Sequence, residues 1–438
     1  MSEQIIKESE QRQLNLQLEY INYTTEEILK NKLNAKKRKS SMVAARRAVV
    51  DQVQEGDAIY VSGLDKSIGS FIKNRALEKY VDINSHGIQQ QTMISLGMNS
   101  ILDLSYAFEG GQSTLFSQEQ WHELQARFPA VEHEYTELSG NLLSVTTRYT
   151  LVLQQLSKAR SGLEKKLKSL SKWIKDQEKA ADMNEDEQFF LYFVSHIIKC
   201  HQKSAYLFDS VTECSEWDYV VKLWSPLIEE LFDGVNNLRT KWGDTVFELA
   251  NEDGTADPKI DIQVILDKAI QMRNVSSGKF SKHNPGNLKY QADKCKVMIE
   301  GKNIINQLVF HGVDICNIPV LQICGSELHM LEVSLVAPGL YVGNKRYSFS
   351  LVNTWENFEI LPELIEGLLE FKNECVEVGE LLKDHLITIE YKKGSTTGPK
   401  YKKSSSHMVN NKKRWLRDNW IVFRDQKYKT STIPPPPF

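Results

Sequence analysis

The sequence predicts a mixed α+β chain: a helical N-terminal half, then an α/β domain with a short mixed sheet, and a disordered basic C-terminal tail. Three observations carry this. Apolar residues recur every three or four positions between Leu142 and Ala180, and again from Gln188 to Leu238, which is the period of helices with one buried face. Beyond Asp244 the texture changes to short β-branched or alternating runs bounded by Gly, Pro, Asn and Asp, the pattern of strands. After Ile389 the chain is rich in Lys and Ser and poor in apolar residues, a composition that cannot bury a core.

The layout in chain order is a basic helical arm over 1–55, a mainly helical region over 56–182, an α/β domain over 183–390 and a basic tail over 391–438. Residues 4–33 place Leu14, Leu18, Ile21 and Ile28 among Glu, Gln and Lys, so they read as a helix without a sustained heptad. A looser, Gly- and Asp-rich stretch follows, with a short strand expected over Ala58–Ser62. Ser117 and Gln120 have the spacing of a capping box that opens a helix toward Phe128. One long amphipathic helix is expected over 142–180, with Leu153, Leu163, Leu167, Leu170 and Ile174 inward and Lys158, Arg160, Lys165, Lys166, Lys168, Lys172 and Lys175 on its other face. Helices over 188–208 and 217–238 come next, the second interrupted by Pro226. Strands are expected over 244–250, 259–266, 319–325, 328–337 and 340–351, with helices over 286–310 and 358–385.

The 438 residues carry 54 Lys and Arg against 57 Asp and Glu, but the balance is uneven. Residues 1–50 hold ten basic and six acidic side chains, 391–438 hold twelve and two, and the body between them has 32 and 49. An acidic body with two basic ends suggests contact with a polyanion through the ends, or pairing of the tail with the body. The run Lys36, Lys37, Arg38 and Lys39, followed by Arg46 and Arg47, resembles a nuclear-import signal. Lys412, Lys413, Arg414 and Arg417 interleave with Trp415 and Trp420, a pairing of cations for phosphates and indoles for bases. The same tryptophans would also serve to dock a short element on the body. Pro434–Pro437 form a short polyproline end.

The N-terminus lacks the apolar core of a secretory signal and no stretch is long enough to span a membrane, so an intracellular, nuclear protein with reduced cysteines is expected. His196 and Cys200 share a helix face at i and i+4, with His201 about 100° away and Cys214 further on. Burial of Cys200 rather than metal binding is the expectation there, and no metal site is assigned. No Gly-x-Ser-x-Gly elbow or phosphate loop occurs.

Around Asp257-Pro258-Lys259-Ile260-Asp261-Ile262, the order of a helix, a strand, a strand with an Asp, a segment with a Lys, a helix and a strand resembles the PD-(D/E)XK nuclease core. That resemblance implies two acids on Mg²⁺ and a lysine that positions the attacking water. Asp261 stands for the first acid and Lys282 for the lysine, while Lys279 sits near the place of an acid. Asp244, Glu248 and Glu300 are the nearby candidates for a second carboxylate. The stretches 217–224, 241–245, 259–262 and 339–342 are also similar to multi-copy fungal protein families of unknown function, which implies a helical plus α/β layout and no chemistry.

The leading expectation is a non-enzymatic nuclear protein that binds nucleic acid through its basic ends on an acidic scaffold. The alternatives are an interaction scaffold that meets a protein partner through the 142–180 helix, and a metal-dependent nuclease-like hydrolase. No cofactor is expected unless the nuclease-like site is intact, when Mg²⁺ would bind. The oligomeric state is left open.

Overall fold

The structure is a computed structural model that describes residues 59–80, 83–105, 111–129, 140–179, 183–209, 211–246, 259–268, 271–351, 354–394 and 412–417. All of them lie in one unit, within residues 54–438. The import-like run Lys36–Arg47, the 4–33 helix, Glu248, Trp420 and the polyproline end therefore lie outside the described residues.

Helices α1 (Ile68–Tyr80) and α2 (Ile88–Met98) lead into β1 (Ile101–Asp103), then α3 (Gln118–Arg127), α4 (Gly140–Lys158), α5 (Leu163–Gln177) and α6 (Glu185–Lys203). A broken helix follows, made of α7 (Glu216–Tyr219), one π-helical turn over Val220–Trp224 and α8 (Ser225–Leu231). The sheet strands β2 (Leu238–Val246), β3 (Lys259–Lys268) and β4 (Gln271–Ser281) precede α9 (Asn287–Phe310). Next come β5 (Asn317–Cys324), β6 (Glu327–Ala337), β7 (Leu340–Ser350) and the long α10 (Asn357–Gly394).

The result is a mixed α+β fold on a seven-stranded sheet ordered β1-β7-β6-β5-β4-β3-β2. Two antiparallel meanders, β2-β3-β4 and β5-β6-β7, are joined by a parallel β4–β5 pair, and β1 adds parallel to β7. A parallel neighbour needs a crossover, and α9 provides it. Successive strand residues point to opposite faces, so Ser277 turns toward α9, where it meets Glu300, and Ser276 toward α10, where it meets Cys375. One buried core runs from Leu142 on α4 through the sheet to Leu382 on α10, so helical and sheet regions share their apolar interior.

Several expectations change on contact with the fold. The single helix over 142–180 is two helices, because the chain turns over Ala159–Gly162. No strand forms over the described part of 58–62; Ile59 and Val61 instead give their carbonyls to Ile68 and Leu64, with no neighbouring strand to pair. Strands β1 and β4 were not expected, and β2 begins six residues before its expected start. Ser117 forms the expected capping box, its hydroxyl accepting from the Gln120 N–H while Gln120 accepts from the Ser117 N–H. Among the described residues, no helix is long and apolar enough to cross a membrane.

Candidate functional site

Asp261 and Lys279 are directly opposed across the β3–β4 ladder, since Ile262 pairs with Gly278 in antiparallel register. Side chains of opposed residues share a face, and here they form an ion pair of 2.7 Å between Lys279 Nζ and Asp261 Oδ1. The other carboxylate oxygen accepts the Phe280 N–H at 2.8 Å. Lys282, the expected partner, lies past the end of β4 and an odd number of residues from Lys279, so its side chain takes the opposite face. The lysine that meets Asp261 is therefore Lys279. Gly278 makes room beside it, because a Cβ there would lie 2.6 Å from the Ile262 side chain and 3.2 Å from Leu321.

From the other side α9 brings a stripe of alternating charge, Lys289, Asp293, Lys296 and Glu300, at the spacing of one helix face. Gly301 lets this helix approach the sheet closely; a Cβ there would meet Val333 at 2.9 Å and Val320 at 3.1 Å. Asp293 is fully buried and held by Lys289 at 2.5 Å, with Lys296 at 3.6 Å. Glu300 is equally buried, yet neither of its oxygens has a well-formed hydrogen bond. Burial pushes the Glu300 carboxyl up to about 8; Lys279 opposes this, the Asp261 charge adds to it, and the nearby Ser277 hydroxyl tempers it slightly. Ser277 Oγ and Gln322 Oε1 are likewise buried without a well-formed hydrogen bond.

Lys279 is pulled down by burial, but Asp261 first, then Glu300 and Asp293, outweigh this and hold it above the ordinary lysine value. The ammonium is therefore charged at neutral pH. Half-buried Glu216 on α7 completes the group, its carboxyl raised by burial and by the Asp261 charge. Helix, strand, strand with Asp261, strand with Lys279, helix with Glu300 and strand are thus consecutive in chain and sheet. Of the three second-acid candidates, Glu300 joins Asp261, while Asp244 lies on β2.

The remaining candidates resolve differently. Pro226 has no N–H for the Lys222 carbonyl four residues earlier, and that carbonyl receives His196 Nε2 at 3.0 Å and Cys200 Sγ at 3.3 Å. His196 and Cys200 thus complete a broken helix, and burial raises the Cys200 thiol to about 12, far from a ready metal ligand. His201 stacks on Phe208. The segment Lys412–Arg417 lies on the body: Lys412 pairs with Asp314 at 2.5 Å, Lys413 sits over the Phe310 ring, and half-buried Trp415 packs on the core. Its backbone is held too, as Gly339 N–H donates to the Trp415 carbonyl and Lys302 and Asn306 donate to that of Arg417. Arg414 remains exposed. Trp415 therefore docks part of its indole on the body, the second of the two roles its sequence suggests.

No family model matches this chain, and no curated protein or solved structure matches it either.

Proposed function

We propose that this chain is a nuclease-like phosphodiester hydrolase that works through Asp261, Glu300 and Lys279. One observation carries the reading: a fully buried carboxyl, Glu300, with neither oxygen in a well-formed hydrogen bond and only the Ser277 hydroxyl nearby to temper it, beside the Asp261–Lys279 pair. Buried polar groups are ordinarily satisfied, and exceptions cluster where a ligand is received. The element order that the PD-(D/E)XK resemblance implies surrounds this group. Ser277 stands two residues before Lys279, where that family places its second acid, and Glu300 reaches the same neighbourhood from α9.

The donor set fits a hard divalent cation, which takes oxygen ligands and is often held by one or two carboxylates with water and phosphate oxygens completing its shell. Asp261 and Glu300 would hold Mg²⁺; among the described residues no three His, Cys, Asp or Glu side chains group into a fuller cage. Bound there, the ion would polarise a phosphoryl oxygen and acidify water. Lys279, charged and fixed by Asp261, orients the attacking water by hydrogen bonding and offsets charge that builds on the phosphate. Burial of Glu300 and Asp293 keeps the surroundings low in dielectric, so that offset is strong.

Incubation of the full-length chain with labelled DNA and RNA in Mg²⁺ or chelator tests this. Metal-dependent cleavage is expected, reduced about 10²-fold or more by Lys279→Met. Binding without cleavage under every condition would instead favour a non-enzymatic nucleic-acid protein, the reading that charge segregation alone suggested.

A further inference from the structure

The acidic body of this chain carries one exposed basic stripe that the proposed chemistry does not use. Helix α5 buries Leu167, Leu170 and Ile174 and turns Lys165, Lys168, Lys172 and Lys175 to solvent. At 100° per residue these four lysines fall within about 80° of arc, and at 1.5 Å per residue they extend over about 15 Å. Lys158 and Arg160, exposed at the end of α4 and in the turn after it, continue the basic surface. Among the described residues, only Lys168 of the four pairs with a carboxylate, Glu164, and both of those side chains are exposed. Asp176, on the same side of the helix, is engaged by Lys179. Such exposed pairs contribute little and exchange readily with another anion.

We infer that this α5 stripe is a binding surface for the phosphate backbone of duplex DNA. Duplex DNA carries a negative charge about every 1.7 Å of axis over its two strands, so four ammoniums spread over about 15 Å meet a phosphate density at least as high as their own. Lysines are point charges suited to backbone contact without base reading. Single-strand binders set aromatic platforms between their cations, and the stripe has none; Trp173, the one aromatic of α5, packs inward against Tyr149. The inference stands apart from the catalytic reading, since it concerns binding and needs no metal.

The test is fluorescence polarisation with a labelled DNA duplex in chelator, over a series of salt concentrations, using the full-length chain. Replacing Lys165, Lys168, Lys172 and Lys175 together by Gln is expected to make the log–log salt slope shallower by about 3 to 4. The pair Lys172→Gln and Lys175→Gln should give about half of that change, and neither variant should shift the melting temperature. As a control, Lys413→Gln with Arg414→Gln on the docked tail segment should leave the slope unaltered. An unaltered slope in the four-lysine variant, a loss that follows the tail variant instead, or binding to anionic vesicles or duplex RNA in preference to duplex DNA would overturn the assignment.

Discussion

Two of the buried charge clusters on this sheet, those around Arg346 and Lys279, are built to different ends. Around Arg346 on β7 each acid is met by the cation: one guanidinium nitrogen donates to Glu332 on β6 and the other to Glu374 on α10, while Arg346 Nε and the second Glu374 oxygen are buried without a well-formed hydrogen bond. Glu332 also accepts from Ser334 at 2.6 Å, and Tyr347 donates to Glu370 next door. A planar fork between two acids from two elements ties helix to sheet. Around Lys279 the acids outnumber the partners, and Glu300 is left with none that is well formed. A buried acid bridged directly by a cation ties its elements together, whereas a buried acid with no direct cation contact costs stability and points to a ligand that completes it.

The sharpest way to break this contrast is Arg346→Met. Removal of the cation strands two buried carboxylates, and a loss of about 3–5 kcal/mol in chemical denaturation is expected. A loss below 1 kcal/mol would mean that the Arg346 cluster is no more structural than the other.

A pH series comes next in size. Burial raises the Glu374 carboxyl to about 7, against the opposing pull of Arg346. The unfolded chain releases this proton near the ordinary carboxylate value while the folded chain keeps it until about 7. The folded state thus binds more protons in that window, and its stability falls as pH rises from about 4.5 to 7 and levels off above. The drop should be of order 3 kcal/mol and should be flattened by Glu374→Gln.

The smallest expected effect has the opposite sign. Glu300→Leu removes an unsatisfied buried acid and leaves the Asp261–Lys279 pair in place, so it should raise stability by about 1 kcal/mol while abolishing cleavage. A destabilised variant would show that Glu300 is a structural partner after all.

Much of the fold was legible because its signals are local. The capping box at Ser117, the apolar and β-branched runs of β5 to β7 and the inward Leu and Ile of α9 depend on neighbours a few residues apart. Asp261 was also legible, from its place in a strand-like run. Lys279 was not distinguishable from Lys282, because only the β3–β4 register decides which lysine shares a face with Asp261. Strand β4 itself reads Gln-Met-Arg-Asn-Val-Ser-Ser-Gly-Lys-Phe-Ser, too polar and Gly-containing to announce a central strand. The stripe Lys289, Asp293, Lys296 and Glu300 has the sequence pattern of a solvent face, yet both of its acids are buried where α9 approaches the sheet closely at Gly301. A charged stripe on a helix whose other faces are equally apolar was the available signal. The π-turn at 220–224 shows the same dependence on distant residues: Pro226 forecast a break, but not that His196 and Cys200 would complete it.

Direct detection of a bound divalent ion tests the central claim most closely. Mn²⁺ can be titrated into the full-length chain and followed by electron paramagnetic resonance, for the native sequence and for Asp261→Asn and Glu300→Gln. One bound ion per chain is expected in the native protein, weakened about tenfold or more by either substitution. Absence of a bound ion, or equal affinity in all three proteins, would contradict the assignment of Asp261, Lys279 and Glu300 as a functional site.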